Sequence, residues 1–129
     1  MALRIILIAS GVIGVLFGLF FLFGAESAIQ SYNLGDSSLP ARLFARATGG
    51  SLVTLGVINI LAYADRGSPA LRALVIGNIL IHVLSLGVDF SESYARNGGV
   101  WVGLAVHVVF IAAFGWVLLN WGRLTTRAA

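Results

Sequence analysis

Four long apolar runs alternate with short polar segments along the chain. They cover about residues 3–23, 39–63, 69–90 and 100–121. At about 1.5 Å per helical residue, each run is long enough to cross the roughly 30 Å hydrocarbon core of a bilayer. The pattern predicts an all-α protein with four transmembrane helices. Because the connections are short, we expect an up-down-up-down bundle that forms a single integral membrane domain over residues 1–129.

The polar segments carry signals for the ends of these helices. Ser37 and Ser38 stand before Leu39-Pro40, which offers N-cap candidates followed by an early helical proline. The segment 65–68 reads as a tight turn, with Ser68 as the N-cap of the third helix. The first apolar run is longer than the core of a typical signal peptide, so we expect it to remain in place as a membrane helix.

Composition supports the membrane interpretation. The 129 residues are 59% hydrophobic and 10% charged, which is too apolar for a small soluble domain. The absence of cysteine excludes disulfides, thiol redox chemistry, thiolate-bound zinc and iron–sulfur clusters. The net charge of +3 is carried by arginine without lysine, and no clustered basic and aromatic pattern accompanies it. We therefore expect the bilayer, and not nucleic acid, as the surroundings of this chain.

The arginines predict the orientation in the membrane. One side collects five arginines and one acid, and the other collects three arginines and four acids. The positive-inside rule then places both termini in the cytoplasm. The first set is Arg4, Arg66, Arg72, Arg123 and Arg127 with Asp65, and the second is Arg42, Arg46 and Arg96 with Glu26, Asp36, Asp89 and Glu92.

Small residues recur at four- to seven-residue steps inside three of the apolar runs. In lipid, such residues let two helix backbones approach closely, and packing rather than hydrophobicity drives their association. We therefore predict that they form helix-packing faces and not phosphate-binding loops. These residues are Ser10, Gly14 and Gly18 in the first run, Gly49 and Gly56 in the second, and Gly99 and Gly103 in the fourth.

The third run has a polar face formed by Asn78, His82, Ser85 and Asp89, whose spacing places them on one side of a helix. His107 in the fourth run is predicted to lie at the same depth as His82. Two facing imidazoles suit a haem, another tetrapyrrole or a quinone.

In such a site Arg42 and Arg46 would hold acidic groups of the cofactor. The alternative is that the Asn, Ser and His side chains only hydrogen-bond to neighbouring helices. One such contact is predicted between Asn59 and Asn78.

Arg46 lies about two turns inside the second run, and intramembrane charges are usually paired. We expect it to pair with Asp89 or Glu26 as a structural clamp. The alternatives are capture of a lipid phosphate or anionic substrate, and a small transporter that uses Arg46 and Asp89. No Ser-His-Asp arrangement or zinc-type metal cluster is evident, so we expect no enzymatic activity.

The segment from Leu39 to Gly56, followed by Leu71-Arg-Ala-Leu74, resembles small four-helix bacterial inner-membrane proteins of uncharacterised function. The shared pattern is an arginine, a paired glycine, a further glycine down the second helix and an arginine-containing cytoplasmic turn. The resemblance implies a four-helix fold in a bacterial cytoplasmic membrane and carries no activity. The matching positions are Arg46, Gly49, Gly50, Gly56, Arg66 and Arg72.

These features favour an accessory, scaffold or assembly subunit of a larger membrane complex, or a homo-oligomer. The glycine faces and the small extramembrane mass carry this interpretation. The alternative is a tetrapyrrole or quinone binder that uses His82 and His107, and the third possibility is the transporter.

Overall fold

The computed structural model describes residues 1–32, 35–91 and 98–125, without the side chains of residues 89, 91 and 98–100. This part of the chain is helical. Four helices are long and apolar enough to cross a membrane: α1 (Ala2–Phe23), α3 (Leu39–Leu61), α4 (Pro69–Ser91) and α5 (Gly98–Leu119). Two short helices accompany them, α2 (Ala25–Ser31) and α6 (Trp121–Thr125), and a 3-10 turn at Ala62–Ala64 extends α3.

Serine side chains cap two of the long helices, as predicted. The backbone N–H of Ala41 donates to Ser38 Oγ at 3.4 Å at the start of α3. At the start of α4, the backbone N–H of Leu71 donates to Ser68 Oγ at 3.1 Å. The Ser68 hydroxyl in turn donates to the Asp65 carboxylate at 2.5 Å, and this hydrogen bond lowers the pKa of Asp65 below its usual value. The tight turn between α3 and α4 is thus organised by its own side chains.

The bounds of the four long helices agree with the apolar runs to within about two residues, but the two short helices were not predicted. In α2 the buried residues Ala25, Ala28 and Ile29 alternate with exposed polar ones. A seven-residue segment of this kind gives too short an apolar pattern to distinguish a helix from a polar loop. The helix packs on α3 through Ala45.

Glycines bring α1 and α3 into contact along most of their length. A Cβ added to Gly49 would lie 2.6 Å from the backbone oxygen of Gly18, and one added to Gly56 would lie 2.6 Å from that of Gly11. The contacts therefore run in opposite order along the two helices. At these distances no side chain fits between the backbones, so the seam depends on glycine at each contact.

The predicted packing faces therefore meet within the chain. Gly18, Gly49 and Gly56 are buried in the seam, and Gly14 faces Gly56 at 3.4 Å from its added Cβ. Gly11 belongs to the same seam but was missed, because it lies outside the four-residue series that starts at Ser10. In α5, Gly103 is buried, whereas the predicted contact of Gly99 lies outside the described side chains.

An apolar cluster joins the α1–α3 pair to the α4–α5 pair at one end. It includes the start of α1, the start of α4 and the second half of α5: Leu3, Leu7, Leu71, Val75, Phe110, Phe114 and Val117. Trp121 and Leu124 of α6 pack against it. Thr125 also covers Gly67, whose φ of +107° belongs to a region that favours glycine. The end of α6 is therefore fixed against the α3–α4 turn.

We predict that Gly49→Ala destabilises the protein while Gly50→Ala does not. The added methyl group at residue 49 overlaps the backbone of α1, whereas a Cβ at Gly50 meets nothing within 4 Å. Overpacking of this kind costs about 1–3 kcal/mol, and alanine on its own favours a helix over glycine. Titration of each detergent-purified variant with a denaturing detergent measures its free energy of unfolding. Equal stability of the two variants would contradict the tight seam.

Candidate functional site

A cavity of about 540 Å³ lies between the α1–α3 pair and the α4–α5 pair. Its walls are mainly aliphatic and aromatic, with a small number of hydrogen-bonding groups. This volume and composition are typical of sites for small apolar ligands. The aromatic lining residues are Phe17, Phe21, Tyr32 and Phe110. The polar lining residues besides Tyr32 are Ser10, Thr48, Asn59, Asn78, His82, Ser85 and His107.

Two asparagines and a serine form a hydrogen-bonded cluster at one side of this cavity. The amides of Asn59 and Asn78 donate to each other's carbonyl oxygens at 2.8 Å, so the pair is reciprocal. Asn59 Nδ2 also donates to Ser10 Oγ at 3.2 Å, and Asn78 Nδ2 donates to the backbone oxygen of Leu74 at 2.9 Å. All three side chains are buried. The predicted contact of Asn59 with Asn78 is present, and it links α1, α3 and α4.

His82 of α4 and His107 of α5 meet one helical turn beyond Asn78. Their Nδ1 atoms are 2.9 Å apart, which is a hydrogen-bond distance. The ring of His82 also stacks on Phe110, with centroids 5.2 Å apart and planes 14° from parallel. The two histidines therefore lie at one depth, as the sequence indicated, but they contact each other directly.

The contact between the two Nδ1 atoms determines where the protons of a neutral pair lie. Each neutral imidazole has one N–H, so the ring that donates from Nδ1 has an acceptor at Nε2. The other ring accepts at Nδ1 and has its proton on Nε2. Within the described residues, Nε2 of His82 has no protein partner, and His82 lines the cavity. Depending on the tautomer, this nitrogen can donate to a ligand carbonyl or accept from a ligand hydroxyl.

This geometry does not match the predicted sharing of one haem iron. Two axial nitrogens on one metal lie roughly 4 Å apart, about twice a metal–nitrogen bond of about 2.0 Å. The observed 2.9 Å leaves no position for a metal ion between the rings. Ligation of one iron by both residues would require the two rings to move apart.

Arg42 and Arg46 do not reach the cavity that holds the histidines. They line a second, polar pocket of about 330 Å³ together with Phe23–Ser27, and the two pockets share no lining residue. The four residues predicted as one cofactor site are therefore divided between two places. The second pocket lies where α1 ends and α2 begins.

Of the two acidic residues predicted to pair with Arg46, Glu26 has a described side chain and Asp89 does not. Glu26 lines the same pocket but accepts a hydrogen bond from Ser37 Oγ at 3.1 Å, and it forms no ion pair with Arg46 in the described part of the chain. The side chain of Asp89 lies outside the described residues, so its pairing with Arg46 and the transporter hypothesis stay predictions. Ser85 lines the histidine cavity.

The aromatic wall of the cavity was not predicted from the sequence. Phe17 and Phe21 lie on α1 at a four-residue spacing, and Thr48 and Leu52 lie at the same spacing on α3. In a membrane helix such residues look the same whether they face lipid or a cavity. Only the position of α4 and α5, opposite these residues, shows that they face a cavity and not lipid.

The cavity reaches the outer surface beside α4. Leu84 and Val88 line it, yet they are 68% and 57% exposed. The cavity therefore opens on an apolar part of the surface of α4.

Comparisons with protein-family models, with curated proteins and with solved structures find no match to this chain.

We predict that Asn59 and Asn78 are energetically coupled. Replacement of either by alanine leaves the partner amide buried with fewer hydrogen bonds. A double-mutant cycle of Asn59→Ala, Asn78→Ala and the double variant should give a coupling free energy of about 0.6–1.7 kcal/mol, measured by unfolding in detergent. Additive effects of the two replacements would show that the amide pair contributes nothing beyond packing.

Proposed function

We propose that this protein is a four-span integral membrane protein that binds a quinone-type molecule in the cavity between its helix pairs. The observation that carries the proposal is the hydrogen-bonded pair His82–His107 in the wall of a mainly apolar cavity of about 540 Å³. Buried polar groups in hydrocarbon are rare, and those that line a cavity often mark a functional site.

The proposed membrane topology is an up-down-up-down bundle with both termini in the cytoplasm. Four helices with suitable length and hydropathy support the embedding, and many large apolar side chains, such as Leu16, Phe44 and Leu80, are exposed on the outside of the bundle. The excess of arginine at one set of segment ends supports the orientation. A bacterial cytoplasmic membrane is the location that fits these arginines and the resemblance of the sequence.

A quinone has the chemistry that this cavity recognises. Its planar ring fits between aromatic side chains such as Phe17 and Phe110, and its two carbonyl oxygens accept hydrogen bonds. In one tautomer of the pair, Nε2 of His82 supplies a donor, and in the other it accepts from the hydroxyl of a quinol. The opening beside Leu84 and Val88 leaves room for an isoprenoid tail. A tetrapyrrole is less favoured, because the two rings already satisfy each other at 2.9 Å.

Binding of a short-chain quinone such as decylubiquinone to the detergent-purified protein tests this proposal. We expect the quinone to raise the melting temperature and Ser85→Leu, which fills the cavity, to abolish the effect. His82→Phe keeps an aromatic ring but removes the hydrogen bond, so we expect about tenfold weaker binding. Thr54→Val, on the exposed side of α3, serves as the control.

Unchanged affinity in both cavity variants would contradict the proposal. Phospholipid that copurifies with the protein and resists displacement by the quinone would assign the cavity to an acyl chain instead. Both outcomes are read from the same purified samples by mass spectrometry of bound small molecules.

A second proposal is that the protein acts as an accessory, scaffold or assembly subunit, or as a homo-oligomer. The glycines of α1 and α3 no longer support it, because they pack within the chain. The supporting observation is on α4, where Ala73 and Gly77 are exposed and four residues apart. A Cβ at Gly77 meets nothing within 4 Å, so another helix has room to approach here.

We therefore expect Gly77→Leu to weaken assembly and Gly87→Leu to leave it unchanged. Gly87 is also exposed and unobstructed, but no small residue lies four positions before it. The mass of the protein with its associated chains, measured by native mass spectrometry in a mild detergent, reports the assembly. A wild-type protein that purifies alone as a monomer would contradict this second proposal.

A further inference from the structure

The second pocket contains two arginines that the quinone proposal does not use. Arg42 and Arg46 are four residues apart on α3 and therefore project from the same face of the helix. Phe23, Gly24, Ala25, Glu26 and Ser27 complete the pocket, which is predominantly polar and has a volume of about 330 Å³. Two guanidinium groups on one wall of a polar pocket are a suitable arrangement for an oxyanion.

The charges in this pocket are not balanced. Arg42 donates one hydrogen bond from its guanidinium to the backbone oxygen of Ser37, and a guanidinium has five N–H donors. Glu26 is the one acidic side chain among the lining residues, and its carboxylate accepts from Ser37. The lining residues therefore carry one net positive charge, which matches the single negative charge of a phosphodiester.

In the proposed membrane embedding, the pocket lies at the membrane surface. Phe23 is the last residue of α1, and Leu39 is the first residue of α3. Arg46 lies seven residues further, or about 10 Å along the helix. A long arginine side chain at this depth extends its charged group toward the headgroup region while its stem stays in hydrocarbon.

Apolar side chains lie next to the arginines. Phe23, in the pocket itself, is 78% exposed, and Leu39, three residues before Arg42 on α3, is 62% exposed. A molecule whose phosphate contacts Arg42 and Arg46 would have its apolar part beside such side chains. A free phosphate ion would gain nothing from them.

We infer that Arg42 and Arg46 form a binding site for the phosphodiester of an anionic phospholipid. The two guanidinium groups bind the phosphate oxygens, and the Ser27 hydroxyl, which lines the same pocket, is a further donor. The acyl chains run along the outer surface of α3. The site is separate from the histidine cavity, so it does not depend on quinone binding.

Native mass spectrometry of the detergent-purified protein during titration with phosphatidylglycerol tests this site. We expect Arg46→Gln to weaken phosphatidylglycerol binding about tenfold. Arg46→Lys keeps the charge but not the paired N–H donors, so it should weaken binding less. Arg72→Gln is the matched control, because it removes an exposed arginine from α4 outside the pocket. Arg46 donates no hydrogen bond within the described residues, so its replacement should not impair folding.

Four results would overturn the inference. Equal affinity of Arg46→Gln and the wild-type protein would show that the pocket does not bind the lipid. An equal loss in Arg72→Gln would mean that only the overall charge matters. Displacement of phosphatidylglycerol by millimolar inorganic phosphate would assign the pocket to a free anion and not to a lipid. Equally strong binding of zwitterionic phosphatidylcholine would likewise contradict a site selective for anionic lipid.

Discussion

The close approach of the α1 and α3 backbones is the contact on which the rest of the structure depends. Lipid tails are as apolar as leucine side chains, so helices gain little in a membrane by hiding apolar surface from one another. The glycines of this seam, such as Gly18 and Gly49, instead allow backbone atoms of the two helices to touch. This rigid pair provides one complete wall of the cavity. The opposite wall is formed by α4 and α5, which pack against each other more than against the first pair.

The cavity lies between the α1–α3 pair and the α4–α5 pair because these pairs contact each other mainly at one end of the bundle and less along their length. The apolar cluster around Phe114 and the amide pair Asn59–Asn78 make these connections. The amide pair is hydrogen-bonded on both sides, so it adds specificity without leaving a buried polar group unsatisfied. Beyond it, toward Phe21 and Val88, aromatic and aliphatic side chains line the gap. The hydrogen-bonded pair His82–His107 lies in the wall of this gap.

Hydropathy and helix-capping rules predict the four long helices because a bilayer permits few alternatives to a helix of that length. They also predict Ser68 as a cap and the common depth of His82 and His107, since both follow from distance along the chain. The cavity could not be predicted in this way, because a phenylalanine that faces a gap and one that faces lipid have the same sequence pattern. The separation of Arg46 from the histidines also depends on how α2 folds between α1 and α3, and a seven-residue helix leaves little trace in the sequence.

Thr125 covers Gly67, and this contact has a mechanical consequence. It fastens the end of α6 to the turn between α3 and α4, on the same side of the bundle as the cluster around Leu7 and Val117. The turn between α3 and α4 is thereby held by a residue of α6 as well as by its own capping hydrogen bonds. Phe21 and Val88, which line the cavity, lie toward the opposite ends of α1 and α4.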